Sequence, residues 1–332
     1  MTTSVQFRRK SWKKTVWSVS VLTPLALLAS SPLARAAPFT LGAFDMYGLL
    51  VNDGVSGGDI NTPPVNANIG IGNVTGAINL HNEVVNGKVD VEGNAATAVA
   101  GGNITGTQPV SLGGASPSGS PASVNSNVAA VLTAINDAKS LSSNYGAEAN
   151  LGTAITINGT TTINASSGFT DPSGARVFTA PSFSIGNSNT VTINGSASDY
   201  VVIDVTGNSG NKLDGALTLV GGITSNQVLI NFIGSGGNIQ GAANKAALNG
   251  TFLIPNLGIN LDSLTINGHL FGGLPGKNFQ FVSGAFINQP PLSLPPPSPP
   301  PSPVPEPSSA VLFGTGLLGL VSMVRRRRGS SV

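Results

Sequence analysis

Cysteine is absent from the 332 residues, so no disulfide framework holds the chain and its stability rests on packing and hydrogen bonding. Charge is scarce: Asp, Glu, Lys and Arg make up 9% of the residues, against roughly 25% in ordinary globular proteins. Tryptophan occurs only at Trp12 and Trp17, in the N-terminal segment, so the rest of the chain offers Tyr47, Tyr145, Tyr200 and phenylalanines as its aromatic surface. That scarcity argues against a lectin built on tryptophan platforms. Histidine is limited to His81 and His269. A nucleophile triad needs a base and an acid beside the serine, and no Gly-x-Ser-x-Gly elbow is present. His-Glu-x-x-His, EF-hand, calcium nonapeptide and phosphate-cradling patterns are missing as well. No catalytic residue, cofactor or metal ligand is therefore expected.

A few acids still merit weighing. Asp45, Asp53 and Asp59 lie loosely spaced in a turn-rich region, and Ca²⁺ takes 6–8 oxygens. Asp199 and Asp204 form the one carboxylate pair to test against the roughly 5–9.5 Å separation of glycoside hydrolysis. His269 follows an Asn-Gly pair and reads as a surface turn residue, as does His81.

The overall basic balance is misleading. Of the 16 Lys and Arg residues, six precede Pro38 and four close the chain; six remain between them, against 13 acids, leaving that body at net −7. Nucleic-acid binding needs a basic patch, and none is available.

Both ends carry signals. Arg8, Arg9, Lys10, Lys13 and Lys14 precede an apolar run from Thr15 to Ala29, and Ala34-Arg35-Ala36 places small residues where a signal peptidase cuts. Residues 1–37 read as a secretory signal peptide, cleaved after Ala36 or Ala37. At the other end, a proline-rich spacer (290–303) leads to Pro305-Glu306-Pro307, an apolar segment from Ala310 to Val324, and Arg325-Arg326-Arg327-Arg328. About 15 apolar residues give about 22 Å of helix, short of the roughly 20 residues of a comfortable span. The segment fits a transient sorting helix, a plain single-span anchor being the alternative, and the arginines keep its end cytoplasmic.

The order of these last elements resembles the PEP-CTERM sorting tail (304–328). The resemblance implies recognition through Pro305, Glu306 and Pro307 by an exosortase, a membrane-embedded protease. It also implies passage through the inner membrane and delivery to the surface or extracellular matrix of an exopolysaccharide-making Gram-negative bacterium.

Between the signals, residues 38–289 form one domain-sized body rich in Gly, Asn, Thr, Ser, Val and Ile. Short runs alternate apolar residues with Thr or Asn, the period-2 mark of half-buried strands. Examples are Ala154–Ile157, Val191–Ile193 and Leu264–Ile266, and Val228–Ile233 is a further strand-like run. Thr-Ile-Asn-Gly recurs at Thr156–Gly159, Thr192–Gly195 and Thr265–Gly268. Asn and Gly at strand ends suit the corners of a stacked β structure, and a β-sandwich with Asn-Gly hairpins is the alternative. One segment, 123–145, places Val124, Val128, Val131, Leu132, Ile135, Ala138 and Tyr145 on one helical face, with Ser123 as N-cap and Gly146 as stop. The expected fold is mostly β: a right-handed β-solenoid with one flanking α-helix.

Ala134–Ala138, Val228–Phe232, Gly250–Asn256 and Ile266–Leu270 resemble the choice-of-anchor A and bacterial ice-binding-like adhesin domains. The resemblance implies a non-enzymatic adhesin-like protein, in contact with exopolysaccharide or neighbouring cells. An ice-binding protein of the same fold is the second reading; its hydroxyls would come from Thr156, Thr160, Thr162, Thr192 and Thr265. A polysaccharide-active enzyme is the third.

Overall fold

The computed structural model describes residues 37–52, 58–61, 67–72, 78–80, 88–92, 124–125, 128–242, 247–274, 277, 279–282 and 285–290. Residues 1–36 and 291–332, which hold nearly all of the leader, the spacer and the sorting tail, and His81 lie outside them.

The early strands are β1 (Leu49–Val51), β2 (Gly58–Asn61), β3 (Ile69–Ile71), β4 (Ile78–Leu80), β5 (Val89–Val91) and β6 (Val124–Asn125). Helix α1 (Ala129–Glu148) follows. Then come β7 (Thr153–Ala154), β8 (Ile157–Asn158), β9 (Thr161–Asn164), β10 (Phe169–Thr170), β11 (Arg176–Ala180), β12 (Phe183–Ile185), β13 (Thr190–Asn194) and β14 (Val201–Val205). The series ends with β15 (Lys212–Leu213), β16 (Ala216–Val220), β17 (Val228–Phe232), β18 (Asn238–Ala242), β19 (Ala247–Ile254), β20 (Gly258–Asp262), β21 (Thr265–Gly272), β22 (Phe279–Val282) and β23 (Phe286–Asn288).

Among the described residues, every ladder but one is parallel; β10 against β11 is the antiparallel pair. Parallel strands need crossovers rather than hairpins, which removes the β-sandwich alternative. The strands line up in three rows. One row runs β11-β14-β17-β19-β21-β1-β3-β5-β6, and a second runs β8-β12-β15-β18-β20-β22-β2-β4. The third joins β9, β13, β16, the first half of β19, the first half of β21, and β23. Strands at matching positions of successive rungs stack in register, for example Val201↔Val228 through Val205↔Phe232.

The stacking order is not the chain order. The first strand, β1, lies on β21, one of the last. From there the chain climbs through β3 and β5 at a 20-residue period (Leu49↔Ile69, Ile69↔Val89). It ends that climb at β6, pairing Val89 with Val124. Helix α1 then returns the chain along the first row to β7, which pairs with β11 at the other end of the row.

Inward-facing residues from all three rows form the main core, including Ile157, Phe183, Ile193, Ile203, Phe232, Phe252, Leu261, Ile266 and Phe281. A second core lies between the first row and α1. There Val131, Ala134, Ile135, Ala138 and Tyr145 of the helix meet Val202, Leu229, Leu253, Phe271 and Leu50. The helical spacing of these residues gives α1 one buried stripe. The first row is thus buried on both faces, as the uninterrupted burial of β14 and β17 records. Such strands read as continuous apolar runs rather than alternating ones.

The helix begins six residues later than the expected 123–145. Val124 and Asn125 pair with β5 instead, and the Val128 amide still donates to the Val91 carbonyl (2.9 Å). A ladder bond outcompetes an extra helical turn there, and Val128 caps the helix without a side-chain bond. Nor does Gly146 stop the helix, which continues to Glu148. Instead Gly146 lets the helix approach the sheet, since a Cβ there would lie 2.9 Å from the Ile233 methyl.

Candidate binding face

Three ionisable groups of the helix-covered row, Asp90, Asp204 and His269, sit in the interior. His269, expected at the surface, is fully buried. Its Nδ1 lies 2.9 Å from the Tyr47 carbonyl oxygen; a carbonyl only accepts, so Nδ1 carries the hydrogen. Its Nε2 faces Asp45 at 3.4 Å. Burial holds the imidazole below its ordinary range, although the Tyr47 bond and Asp45 push the other way. The Asn-Gly pair before it closes no loop: β21 continues as a strand through Asn267 and Gly268, bending there from the third row to the first.

Asp204 is likewise fully buried. Its Oδ1 accepts from Asn231 Nδ2 at 2.7 Å, and Asn231 in turn accepts from Ser142 Oγ of the helix at 2.6 Å. Burial pushes the Asp204 carboxyl up to about 7, opposed by the Asn231 bond and helped by Glu148. Asp199 has a different job: it accepts from the Ser196 amide (2.8 Å) and hydroxyl (2.7 Å). These bonds hold its carboxyl below the usual range. A glycosidase pair needs both carboxylates on one accessible cleft, and Asp204 has no access to solvent. The three acids weighed for calcium are placed in part. Asp45 is engaged with His269, Asp59 belongs to the second row, and Asp53 lies outside the described residues.

Among the described residues, the surface with repeating chemistry is the third row. Ile163, Val191, Ile193, Leu217, Leu248, Ile266 and Ile287 point inward, so the residues between them point out. In register these make a column: Thr162, Thr192 and Thr218, then Asn249, Asn267 and Asn288. The Leu217↔Leu248 pairing carries the column from Thr218 to Asn249. The upper half is a hydrogen-bonded amide ladder. Asn288 Nδ2 donates to Asn267 Oδ1 (2.9 Å), Asn267 Nδ2 to Asn249 Oδ1 (2.9 Å), and Asn249 Nδ2 to the Leu217 carbonyl (2.6 Å). In the lower half, the Thr192 and Thr218 hydroxyls are 3.1 Å apart.

Beside this column stand Thr190, Ala216, Ala247, Thr265 and Phe286, and beyond it Asn164, Asn194 and Val220. No strand of this row contains a charged residue. The second row differs. Lys212 and Asp262 lie on its strands, and its outward column of Asn158, Ser184, Lys212, Gln240, Asn260 and Gln280 is interrupted by that lysine. A groove of about 610 Å³ beside α1, lined by Lys139, Ser142, Gly146, Asn256 and Leu274 among others, holds no such repeat.

Of the threonines singled out from sequence, Thr162 and Thr192 fall in one column. Thr265 stands one position over, level with Ala247. Thr160 bonds Asn189 at 3.2 Å near the lower edge, and Thr156 precedes β8, in another row. The amide ladder was missed. Its trace in the sequence is an apolar residue followed by Asn at Leu248-Asn249, Ile266-Asn267 and Ile287-Asn288. Of the leader and tail residues, Ala37 is the first described residue. Ala34, Ala36, Pro305, Glu306, Pro307 and Arg325–Arg328 lie outside the described residues. Among those described, no helix is long and apolar enough to cross a membrane.

Comparison with known proteins gives three results. Residues 303–328 match the PEP-CTERM protein-sorting motif, which indicates processing by exosortase during export. Solved structures that resemble this one include an ice-binding protein from the Antarctic ascomycete Antarctomyces psychrotrophicus, at 16% identity and TM-score 0.39, covering 75% of this chain and 95% of that one. Another is from an Arctic yeast, at 15% identity and TM-score 0.47, covering 80% and 100%. A third, from an Antarctic Flavobacteriaceae bacterium, has 14% identity and TM-score 0.49, covering 75% and 47%. No curated protein matches the chain. Residues 38–285, three-quarters of the sequence, match a family-level description, and on that match the chain belongs to the ice-binding-like adhesive domain family, as an exported, surface-associated member carrying a sorting motif.

Proposed function

We propose that this protein is a non-enzymatic, adhesin-like component of the cell surface or extracellular matrix that associates with exopolysaccharide through the uncharged third row of strands. The observation that carries this reading is the in-register column of hydroxyls and amides on that row. It offers repeated hydrogen-bonding groups with no charged residue on its strands, the chemistry of a neutral polyhydroxylated ligand. The three rows are read as the faces of a right-handed β-solenoid, and the rungs as its successive turns. Parallel stacking in register supports this, as does the near-uniform handedness of parallel crossovers.

The leader and tail supply the route. Signal peptidase cuts after Ala36 or Ala37, and the tail anchors transiently in the inner membrane of a Gram-negative cell. Exosortase then recognises Pro305, Glu306 and Pro307 ahead of the apolar segment, while Arg325–Arg328 stay inside. The proline-rich residues 290–303 act as a semi-rigid spacer.

The test is co-sedimentation of the secreted protein with the host's own exopolysaccharide, alongside mass spectrometry of both chain ends. Binding by a chain that starts near Pro38 and lacks residues 310–332 is the expected result. Absence of binding refutes the adhesive reading; an intact Arg325–Arg328 end in the membrane fraction refutes the processing. A second reading, ice binding, is favoured by the aligned Thr162, Thr192 and Thr218. Inhibition of ice recrystallisation that is lost on Thr192→Tyr decides for it.

A further inference from the structure

The adhesive reading leaves open how a ligand lies on the face and what kind of polymer it is. We infer that the third row binds a single uncharged, ribbon-like polysaccharide laid along the stacking direction, about one sugar ring per rung, with Thr162, Thr192, Thr218, Asn249, Asn267 and Asn288 as its contact column. This rests on the adhesive reading above and deepens it.

Spacing is the first argument. Rungs stand about 4.8 Å apart, so six positions span about 24 Å, and one polar side chain recurs per rung. A ligand crossing the strands meets the same chemistry at each step; one running parallel to a strand meets it once and then leaves the face.

The second argument is preorganisation. Asn249 and Asn267 each spend one N–H within the row, on the Leu217 carbonyl and on Asn249, and a primary amide has a second N–H and a second acceptor site. Those remaining groups match a sugar hydroxyl, which both donates and accepts. Because the neighbours already fix the side chains, binding avoids most of the usual cost of about 0.5–1.5 kcal/mol per immobilised side chain.

Third, the surroundings select the polymer. Thr162, Thr192 and Thr218 each set a methyl beside a hydroxyl, suiting the C–H face and the hydroxyl edge of a ring. Ala216 and Ala247 leave the floor beside them low. At the far end, half-buried Phe286 shares the outward face with Asn288, a ring for the last sugar to stack on. With no cation on these strands, nothing favours an acidic polymer. The flanking series Thr190, Ala216, Ala247, Thr265, Phe286 changes at most steps, unlike a lattice-matching surface.

The experiment is calorimetric titration of the full-length chain with β-1,4-linked glucose oligomers of increasing length, used as neutral ribbon-like probes, and with an acidic oligogalacturonate. Affinity should rise with each added ring and level off near the hexamer, stay unchanged with added salt, and be at least tenfold weaker for the acidic oligomer. Asn267→Ala and Phe286→Ala should each weaken hexamer binding about tenfold, a loss on the order of 1.4 kcal/mol. Thr192→Val, which keeps the shape and removes only the hydroxyl, should weaken it a few-fold without altering the thermal melt. Asn260→Ala in the second row should leave binding unchanged. Equal affinity for dimer and hexamer, or equal loss from Asn260→Ala, overturns the axial placement while retained exopolysaccharide binding leaves the adhesive reading standing. Loss of all saccharide binding overturns both.

Discussion

Replacing Asp204 with Asn should stabilise this protein above neutral pH and do nothing useful below it. Asp204 is fully buried beneath α1, with one oxygen bonded to Asn231 and Oδ2 without a partner. Burial raises its folded-state pKa from 3.8 to about 7. Below the unfolded value, both states hold the proton and the site costs nothing. As pH rises from about 4 to about 7, the unfolded chain gives up the proton and the folded one keeps it, so stability falls. A shift of about three units corresponds to about 4 kcal/mol lost by pH 8, as an upper bound. Asparagine removes the titration but leaves its two buried amide N–H groups unpartnered, at a cost of about 1–3 kcal/mol. The expected outcome is a variant more stable than the parent by about 1–3 kcal/mol at pH 8, and equal or less stable at pH 5. Urea unfolding at pH 5, 6, 7 and 8 reads this as a crossing of the two stability curves. Glu148, whose pKa burial also raises, titrates in both proteins, and its charge is part of what raises Asp204, so relief of that repulsion belongs to the expected difference. Parallel curves, or a variant weaker than the parent at pH 8, would refute the burial argument.

Two further outcomes follow from the packing. Gly268→Ala places a Cβ 1.8 Å from the Gly250 carbonyl oxygen, where β19 and β21 turn together from the third row to the first. Backbone must move, so thermal unfolding should show a loss above about 2 kcal/mol, with soluble expression reduced. Tyr47→Phe removes a buried O–H that donates to Asp90 Oδ2 at 2.9 Å. The loss should be about 1–3 kcal/mol by denaturant titration, and larger in a Lys88→Ala background, since Lys88 reaches the same oxygen at 2.8 Å and keeps it partnered in the parent.

The features legible beforehand are the local ones. The side-chain period of a helix is written in consecutive residues, so Val131, Ile135, Ala138 and Tyr145 announced α1 whatever it packed against. Alternation in Thr190–Asn194 and Thr265–Asn267 did the same for strands. The Pro-Glu-Pro tail is a linear signal, read from order alone. The helix ends were misjudged because partners far away in sequence decided them: β5 claimed Val124, and Ile233 explains Gly146.

What the tertiary structure alone decided is the stacking order and everything built on it. Any apolar-alternating strand can join any rung, because parallel ladders bond through backbone groups common to all residues. Nothing in Leu49–Val51 therefore names β21 as its neighbour. That choice buries His269 under Tyr47, and it makes surface neighbours of Asn249, Asn267 and Asn288 through register. Composition and periodicity determined that the chain builds polar-faced strands and one helix; only the register across rungs determined which polar residues form a face.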